Sequence, residues 1–289
     1  MFSVLTLGTV ALRGSDDAPI DLTGRRSREV IAAIATGGGA PVARRSIWSW
    51  MWPDLPDDQA RKALNTEVWR LRKSVCAAGG DPDALIASTP HDLRLCTEAG
   101  TRCDLAGFRG RLDAAQGLDE MIGLARRYRG DFAEGLSADW METIRAELRS
   151  AFVGLLHRIV AEALAANRLA EATFHAERLT VEEPYDEVAI RALMRAALAA
   201  GDRGLAVSRF RAFAQRLRAD LDVAPTERTA ALLRDGGEAV SPGYRIEPAR
   251  AEDLALADAR RKLLAISDLV ATIRRDLSAI ARDLGAIGD

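Results

Sequence analysis

The stretch that decides the fold is Ala60–Val75, with the sequence ARKALNTEVWRLRKSV. It holds four apolar residues at spacings of four, three and four: Leu64, Val68, Leu71 and Val75. This spacing places them on one face of a helix and predicts that the face is buried. The remaining surface carries Arg61, Lys62, Asn65, Thr66, Trp69, Arg70, Arg72 and Lys73. Such a helix can dock on a protein core and enter the major groove of DNA, although a solvated, arginine-rich surface helix shows the same pattern.

Short apolar runs and turn residues alternate around this helix. Strands are predicted at Ser3–Arg13, Ile20–Leu22, Leu85–Ala87 and Leu93–Leu95, and helices at Ser27–Ala35 and Val42–Trp52. Pro53 ends the second of these helices, and Asp57 or Asp58 is expected to cap the helix that follows. A short sheet, three helices and a hairpin succeed one another in the order of a winged helix-turn-helix.

Three segments make this resemblance specific: WPD at 52–54, the helix at 60–75, and LIASTPHDLRL at 85–95. Together they resemble the DNA-binding domain of OmpR-type response regulators, and most of all the version found in SARP-type transcriptional regulators (the Streptomyces antibiotic regulatory protein family). The resemblance implies a DNA-binding domain over residues 1–103. The candidate DNA contacts are Arg61, Lys62, Asn65, Thr66, Trp69, Arg70, Arg72 and Lys73 of the helix, with Arg44 and Arg94 outside it. Among them Arg70, Arg72 and Lys73 suit phosphate or guanine, and Asn65 suits adenine.

Two acidic residues depart from the family pattern. Glu67 stands in the middle of the helix, where an acid facing the groove could accept from a cytosine amino group but would repel phosphates. The wing tip reads His91-Asp92-Leu93 in place of the usual Gly-Tyr. These departures leave a second hypothesis open, in which a degenerate winged helix serves a protein adaptor that does not bind DNA.

Charge is distributed unevenly over a chain whose net charge is only −2. Residues 25–75 hold ten basic and five acidic residues, whereas residues 107–240 hold 19 basic and 21 acidic ones. A local basic patch on a nearly neutral protein can attract a phosphate backbone. The charge pattern therefore favours a nucleic-acid contact confined to the N-terminal part.

Several classes of protein are disfavoured by the sequence. No apolar run is long enough to span a membrane, no signal peptide is recognisable, and three cysteines in a chain of 289 residues fit the reducing cytoplasm. Cys76, His91, Cys96 and Cys103 match no common zinc-site spacing, and we expect buried free cysteines rather than a metal site. Neither a phosphate-binding loop nor a catalytic triad is present. We therefore predict a cytoplasmic protein that is not an enzyme and needs no cofactor.

Residues 104–238 have a helical pattern almost throughout. Helices are predicted at Leu105–Gln116, Asp119–Tyr128, Asp139–Ala166, Leu169–Thr180, Asp186–Ala200, Gly204–Ala219 and Thr226–Asp235. The segment Ala161–Ala172 aligns with Arg195–Ala206 at an offset of 34 residues, with alanines at matching positions. A period of about 34 residues with paired helices is typical of tetratricopeptide repeats, although chance matching in an alanine-rich chain is the alternative.

This segment also resembles the bacterial transcriptional activator domain that follows the winged helix in SARP-type regulators. The resemblance lies in Asp104–Phe108, Tyr128–Phe132, Trp140–Arg145, Glu183–Glu187, Ala200–Asp202 and Leu221–Thr226. With the winged helix it covers about residues 1–238 in the family's order. It implies an activator that binds double-stranded promoter DNA as a dimer on direct repeats and recruits RNA polymerase.

A proline- and glycine-containing linker at 239–248 is predicted to precede a C-terminal helix at 249–289. That helix follows a strict heptad, with Leu263, Val270, Leu277 and Leu284 at its a positions and Ile266, Ile273, Ile280 and Ile287 at its d positions. A sustained heptad predicts a coiled coil and hence a homo-oligomer. The alternative is an amphipathic helix that folds back on the repeat domain or packs on another protein.

The whole pattern predicts a mostly α protein: an N-terminal winged helix with a small β-sheet and wing hairpin, a tetratricopeptide-like helical domain and a C-terminal coiled-coil helix. Its predicted function is sequence-specific regulation of transcription. The alternative is an adaptor that joins protein partners through its repeat groove and coiled coil.

Overall fold

The computed structural model describes residues 1–22 and 24–234. Within these ranges the chain forms three small β-sheets and eleven α-helices. The strands are β1 (Ser3–Leu5), β2 (Gly8–Thr9), β3 (Ala11–Arg13), β4 (Pro19–Ile20), β5 (Val42–Ala43), β6 (Ile86–Ser88), β7 (Asp92–Leu95), β8 (Arg102–Cys103) and β9 (Phe132–Glu134). The helices of the N-terminal part are α1 (Gly24–Ala35), α2 (Arg44–Met51), α3 (Asp57–Ala77) and α4 (Pro82–Leu85). Those that follow are α5 (Asp104–Arg109), α6 (Leu118–Ala125), α7 (Asp139–Ala165), α8 (Leu169–Glu182), α9 (Glu187–Ala199), α10 (Arg203–Leu221) and α11 (Glu227–Arg234).

The N-terminal sheet has the strand order β4-β3-β1-β8. Strands β1 and β3 are antiparallel, with Val4 opposite Leu12, while β8 runs parallel to β1. The single strand predicted at Ser3–Arg13 is wrong in detail, because the segment is divided into β1, β2 and β3. Gly8 adopts a φ of +104°, a backbone conformation that glycine tolerates and other residues rarely adopt, and β2 pairs with β9 of the helical part instead of with this sheet.

Helices α1, α2 and α3 form the helix-turn-helix. The predicted helix Val42–Trp52 begins two residues late, because Val42 and Ala43 are extended and pair with β7. Asp57 and Asp58 do not cap α3: its N-cap is Pro56, and the two acids lie in the first helical turn. Carboxylates there interact favourably with the positive end of the helix dipole, so they stabilise the helix without the capping hydrogen bond.

The wing is the hairpin β6–β7, extended on its other side by β5. Its register sets Ile86 opposite Leu95 and Ser88 opposite Leu93. At the tip, the Thr89 hydroxyl accepts hydrogen bonds from the backbone N–H groups of His91 and Asp92, at 3.1 and 3.0 Å. The threonine therefore closes the turn in the absence of the glycine that the family pattern has there.

Helices α7 to α10 pack in consecutive pairs. The two turns inside the predicted repeat match: Asn167 and Gly201, 34 positions apart, both have positive φ, 54° and 79°. The backbone N–H of the residue that follows each turn donates to the carbonyl oxygen of an equivalent alanine. Arg168 donates to Ala163 at 2.8 Å, and Asp202 donates to Ala197 at 2.9 Å. The helix predicted at Leu105–Gln116 is shorter than expected, since α5 ends before Gly110 and turns follow.

The winged-helix and helical parts share one hydrophobic core. Trp50 of α2 stacks on Trp140 of α7, with ring centroids 5.3 Å apart. The Asp104 carboxylate accepts hydrogen bonds from the backbone N–H groups of Thr6, at 2.8 Å, and of Leu7, at 3.0 Å. These contacts cross the predicted domain boundary between 103 and 104 and fix the helix-turn-helix against the helical part. The boundary itself stays a prediction.

The predicted fold class, mostly α with a small sheet and a wing hairpin, is confirmed. The predicted linker at 239–248 and the coiled coil at 249–289, with its heptad residues, lie outside the described residues. Within the ranges 1–22 and 24–234, no helix combines the length and the apolar character needed to cross a membrane.

Candidate nucleic-acid interface

Helix α3 has two opposite faces. The face formed by Leu64, Val68, Leu71 and Val75 is buried in the core, as predicted. Lys62, Thr66, Trp69 and Lys73 repeat the same spacing two residues earlier, and all four are exposed. An offset of two residues is roughly half a helical turn, so these residues lie opposite the buried face. We call them the outer stripe of α3.

Trp69 is the most conspicuous member of the outer stripe. Its side chain is 59% exposed, although tryptophan is usually well buried. The Lys73 ammonium lies 5.1 Å from the centre of the indole ring, a cation–π contact that holds both side chains on the surface. The stripe thus presents an aromatic face and a cation side by side.

Ion pairs divide the basic residues of α3 into two groups. Arg61 pairs with Asp58 at 3.4 Å, Arg70 with Glu67 at 2.7 Å and Arg72 with Asp83 at 2.6 Å. Lys62 and Lys73, in contrast, form no ion pair with any residue that the structure describes. The uncompensated positive charge of α3 therefore lies on the outer stripe, and the three arginines on its flanks are partly neutralised.

Glu67 does not lie on the outer stripe of α3. Its side chain is buried between α3 and α1, where one carboxylate oxygen accepts from the Ser27 hydroxyl at 3.1 Å and the other from Arg70 at 2.7 Å. The sequence carried the signal, because Glu67 follows Leu64 by three residues and precedes Leu71 by four. The acid is part of the packing of the helix-turn-helix rather than of its outer surface.

Arg44 connects α3 to the wing. It is only 8% exposed, and its guanidinium donates to the Ser88 hydroxyl at 3.1 Å and to the side-chain oxygen of Asn65. Burial lowers the pKa of Arg44, and the nearby Asp92 carboxylate partly offsets this effect. Arg44 therefore acts by positioning the wing tip and Asn65, and its charge balances the wing-tip acid that departs from the family pattern.

The contact between Arg44 and Asn65 also orients the Asn65 amide. A guanidinium can only donate hydrogen bonds, so it must face the amide oxygen. The amide NH2 group has no hydrogen-bond partner among the described residues. This arrangement leaves Asn65 with a free donor beside the outer stripe.

The last predicted contact, Arg94, lies on β7 of the wing. It pairs with Glu98 at 2.6 Å, and its side chain is 34% exposed. Like the flanking arginines of α3, it would have to exchange a carboxylate for a phosphate in order to bind DNA.

The cysteines show no arrangement typical of a metal site. Cys96 and Cys103 are buried as expected, but Cys76, on the last turn of α3, is exposed. Burial raises the pKa of Cys103 to about 11, so its thiol is protonated and unreactive at neutral pH. Within the described ranges, no three His, Cys, Asp or Glu side chains lie close enough together to hold a metal ion.

Comparison with known proteins agrees with this architecture. Residues 92–235 match the model of the bacterial transcriptional activator domain. The chain is 28% identical over 229 residues to the transcriptional regulatory protein EmbR of Mycobacterium tuberculosis, which covers 75% of this chain and 58% of EmbR. It is 25% identical over 250 residues to the transcriptional regulatory protein MoaR1 of the same organism, covering 80% of this chain and 77% of MoaR1.

A solved structure shows the same fold. The structure of Mycobacterium tuberculosis EmbR in complex with a low-affinity phosphopeptide superposes with a TM-score of 0.62 at 22% identity, over 91% of this chain and 70% of the EmbR chain. The chain thus spans only about three fifths of the length of EmbR, 58% in the sequence alignment. The family and these relatives are regulators, which confirms the prediction that the chain is not an enzyme. Residues 92–235 carry the bacterial transcriptional activator domain, and together with the winged helix and the relatives this supports the resemblance to SARP-type transcriptional regulators.

Proposed function

We propose that this protein regulates transcription by binding promoter DNA, with the outer stripe of α3 in the major groove and the wing against the adjacent backbone. The observation that carries the proposal is the outer stripe itself. It combines two cations that have no ion-pair partner among the described residues with an exposed tryptophan. A solvated surface helix needs neither, whereas DNA binding uses cations for phosphate or guanine and apolar groups for the thymine methyl.

Each member of the interface has a distinct proposed role. Lys62 and Lys73 contact phosphate or guanine, and Trp69 covers a thymine methyl group. The free NH2 group of Asn65 donates to a base acceptor, such as adenine N7, guanine N7 or O6, or thymine O4. Arg61, Arg70, Arg72 and Arg94 contribute less per residue, because each must first release a carboxylate. Thr66 lies between the two lysines on the outer stripe, and its hydroxyl contacts the phosphate backbone of the DNA.

Other parts of the proposal rest on the resemblance and on the heptad. The tail at 249–289 would assemble a homo-oligomer through Leu263, Ile266, Val270, Ile273, Leu277, Ile280, Leu284 and Ile287. The activator domain would recruit RNA polymerase, in the cytoplasm of a bacterium. EmbR and MoaR1 support the regulatory role by their descriptions. The phosphopeptide belongs to the EmbR structure and forms no part of this proposal.

The test is selection of bound sequences from randomised duplex DNA by the purified full chain, followed by affinity measurements over a range of salt concentrations. We expect an enriched motif and an affinity that falls steeply with salt. The double variant Lys62→Ala/Lys73→Ala should weaken binding. It should also lower the magnitude of the salt slope by about 1 for each phosphate that the variant no longer neutralises.

The matched control is Arg111→Ala/Arg211→Ala, which removes the same charge from two exposed residues outside the winged helix. It should leave both affinity and salt slope nearly unchanged. If both double variants weaken binding equally, the outer stripe is not the interface. If the folded protein enriches no motif, DNA binding is refuted and the adaptor hypothesis replaces it, although the burial of Glu67 removes one of the two features that suggested an adaptor.

A further inference from the structure

A cavity of about 900 Å³ opens in the helical part, far in sequence from α3. Its walls are α6, the segment 126–129, Arg168 and residues 170–178 of α8. Four guanidinium groups line it, from Arg126, Arg129, Arg168 and Arg178, against two carboxylates, from Asp119 and Glu171. The lining is therefore positively charged, although the helical part as a whole is nearly neutral.

The four arginines differ in what they already bind. Arg168 is paired with Asp119 at 2.6 Å and with Glu171 at 2.8 Å, and Arg129 with Asp104 at 2.9 Å. Arg178 donates to backbone carbonyls, including that of Ala125 at 3.3 Å, and forms no ion pair with a described residue. Its charge is therefore not cancelled by a bonded carboxylate.

Arg126 is the arginine that remains available. It is exposed at the rim of the cavity and pairs with no carboxylate of the described chain. A guanidinium presents donors in a fixed planar arrangement that matches a carboxylate or phosphate. It is the natural first contact for an entering anion.

His175 lies in the wall of the same cavity and is left with an unsatisfied polar atom. The residue is 3% exposed, and its Nδ1 has no hydrogen-bond partner among the described residues. Burial lowers the pKa of His175, and the positive charges of Arg178 and Arg126 lower it further, so the ring is neutral at pH 7. A buried polar atom without a partner is costly, but Nδ1 is shielded from solvent and is therefore not available to a ligand in this conformation.

The cavity also has an aromatic wall. Phe174 is 63% exposed and meets the His175 ring edge-on at a centroid distance of 5.1 Å. An exposed phenylalanine next to uncompensated arginines suits a ligand that carries both an apolar ring and a charge. The cavity volume falls within the range of about 300–1,000 Å³ typical of small-molecule sites.

We propose that this cavity binds a small organic anion: a carboxylate or phosphate monoester attached to an aromatic or apolar body. Arg126 pairs with the anionic group, and Phe174 packs on the apolar body of the ligand. The site is independent of the DNA-binding surface proposed above, and its test does not require DNA.

The experiment is calorimetric titration of the full chain at pH 7 and constant ionic strength, with four probes. Phenyl phosphate and benzoate carry both features, inorganic phosphate lacks the ring, and benzyl alcohol lacks the charge. We expect saturable one-site binding of at least one aromatic anion, weaker binding of inorganic phosphate and no binding of benzyl alcohol. The stronger of the two aromatic probes identifies the anionic group.

Single substitutions locate the site. Arg126→Ala should weaken the binding of the aromatic anion by about tenfold or more, since it removes one side of a charged hydrogen-bonded pair. Phe174→Ala should weaken the binding of the aromatic anion while leaving that of inorganic phosphate unchanged. Both residues are exposed, so the variants should unfold at the temperature of the parent chain.

The matched control is Arg127→Ala. Arg127 is the next residue in the chain, is also exposed, and lines a separate, smaller groove with Arg111 and Glu120. Its replacement should change the affinity less than twofold. The proposal is overturned if neither aromatic anion binds, or if Arg126→Ala and Arg127→Ala weaken binding equally, which would indicate an unspecific effect of surface charge.

Discussion

The outer stripe of α3 and the arginines of the helical part carry the same sign of charge but are arranged differently. On the stripe, Lys62 and Lys73 form no ion pair with the described residues. In the helical part, Arg149 pairs with Asp131, and Arg209 pairs with Glu177 at 2.6 Å. The contrast shows that the number of basic residues in a region does not identify a binding surface, because many of them are already paired with carboxylates.

Residue type follows the same division. The chain has only three lysines, Lys62, Lys73 and Lys262, and two of them lie on the outer stripe. Arg145 of the helical part uses several donors at once, towards three backbone carbonyls. A guanidinium suits such multiple fixed contacts, and an ammonium on a flexible stem suits a solvent-facing contact. The two lysines of the outer stripe and Arg145 thus differ in chemistry as well as in position.

Arg145 provides the strongest test of this comparison. Its guanidinium donates to the carbonyl oxygens of Phe132, at 2.8 Å, of Ala133, at 2.9 Å, and of Leu136, at 2.6 Å, and its side chain is 13% exposed. Arg145→Ala leaves these acceptors without their donor, and we expect the free energy of unfolding to fall by roughly 3 kcal/mol or more. Chemical denaturation of the full chain measures the change.

The controls for this prediction are Arg145→Lys and Arg211→Ala. Lysine keeps the charge but cannot reach three carbonyls with one planar group, so it should recover only part of the stability. Arg211 is exposed, and its replacement should change the free energy of unfolding by less than about 0.5 kcal/mol. If Arg145→Ala were as mild as Arg211→Ala, these contacts would not be structural.

Glu67 tests the comparison from the other side, because it is a structural residue on α3. Glu67→Ala leaves the buried Ser27 hydroxyl unpaired and frees Arg70, and we expect the free energy of unfolding to fall by about 2 kcal/mol. Because Arg70 no longer has to release a carboxylate, the variant that remains folded at low temperature should bind DNA slightly more tightly than the parent chain.

Glu67→Gln is the matched comparison, since it keeps an acceptor for Ser27 or Arg70 while removing the charge. It should lose less stability than Glu67→Ala. A large gain in DNA affinity in either variant, without loss of stability, would show that the acid repels phosphate from the groove, in conflict with its burial.

The sequence predicted α3 well because its signal is local. Leu64, Val68 and Leu71 mark the buried face by their spacing alone, and the same spacing applied to Glu67 places the acid beside them. A contact between Glu67 and the groove was considered on residue type alone, whereas the register of the helix places the side chain towards the core. Periodicity is the stronger evidence for which way a helical side chain faces.

Other features depend on partners distant in sequence and could not be predicted. Val42 is extended because it pairs with Leu93, about fifty positions later, and nothing in its own neighbourhood indicates this. The cavity lined by Arg126 and His175 likewise requires α6 and α8 to meet. Neither residue stands in a recognisable motif, so the site can be found only when the fold is known.

Trp69 gives the smallest expected effect on stability and the most direct contrast within one residue type. Because its ring is 59% exposed, Trp69→Ala should change the free energy of unfolding by less than about 0.5 kcal/mol while lowering affinity for the selected DNA. Trp50→Ala should instead lower the free energy of unfolding and leave DNA affinity unchanged. Loss of the stack on Trp140, at a centroid distance of 5.3 Å, should contribute about 1 kcal/mol in addition to the loss of buried apolar area. Denaturation and binding measured on both variants separate the two roles. If Trp69→Ala destabilised the protein and left DNA affinity intact, the exposed indole would have a structural role. The proposed DNA contact of the outer stripe would then lack its aromatic member.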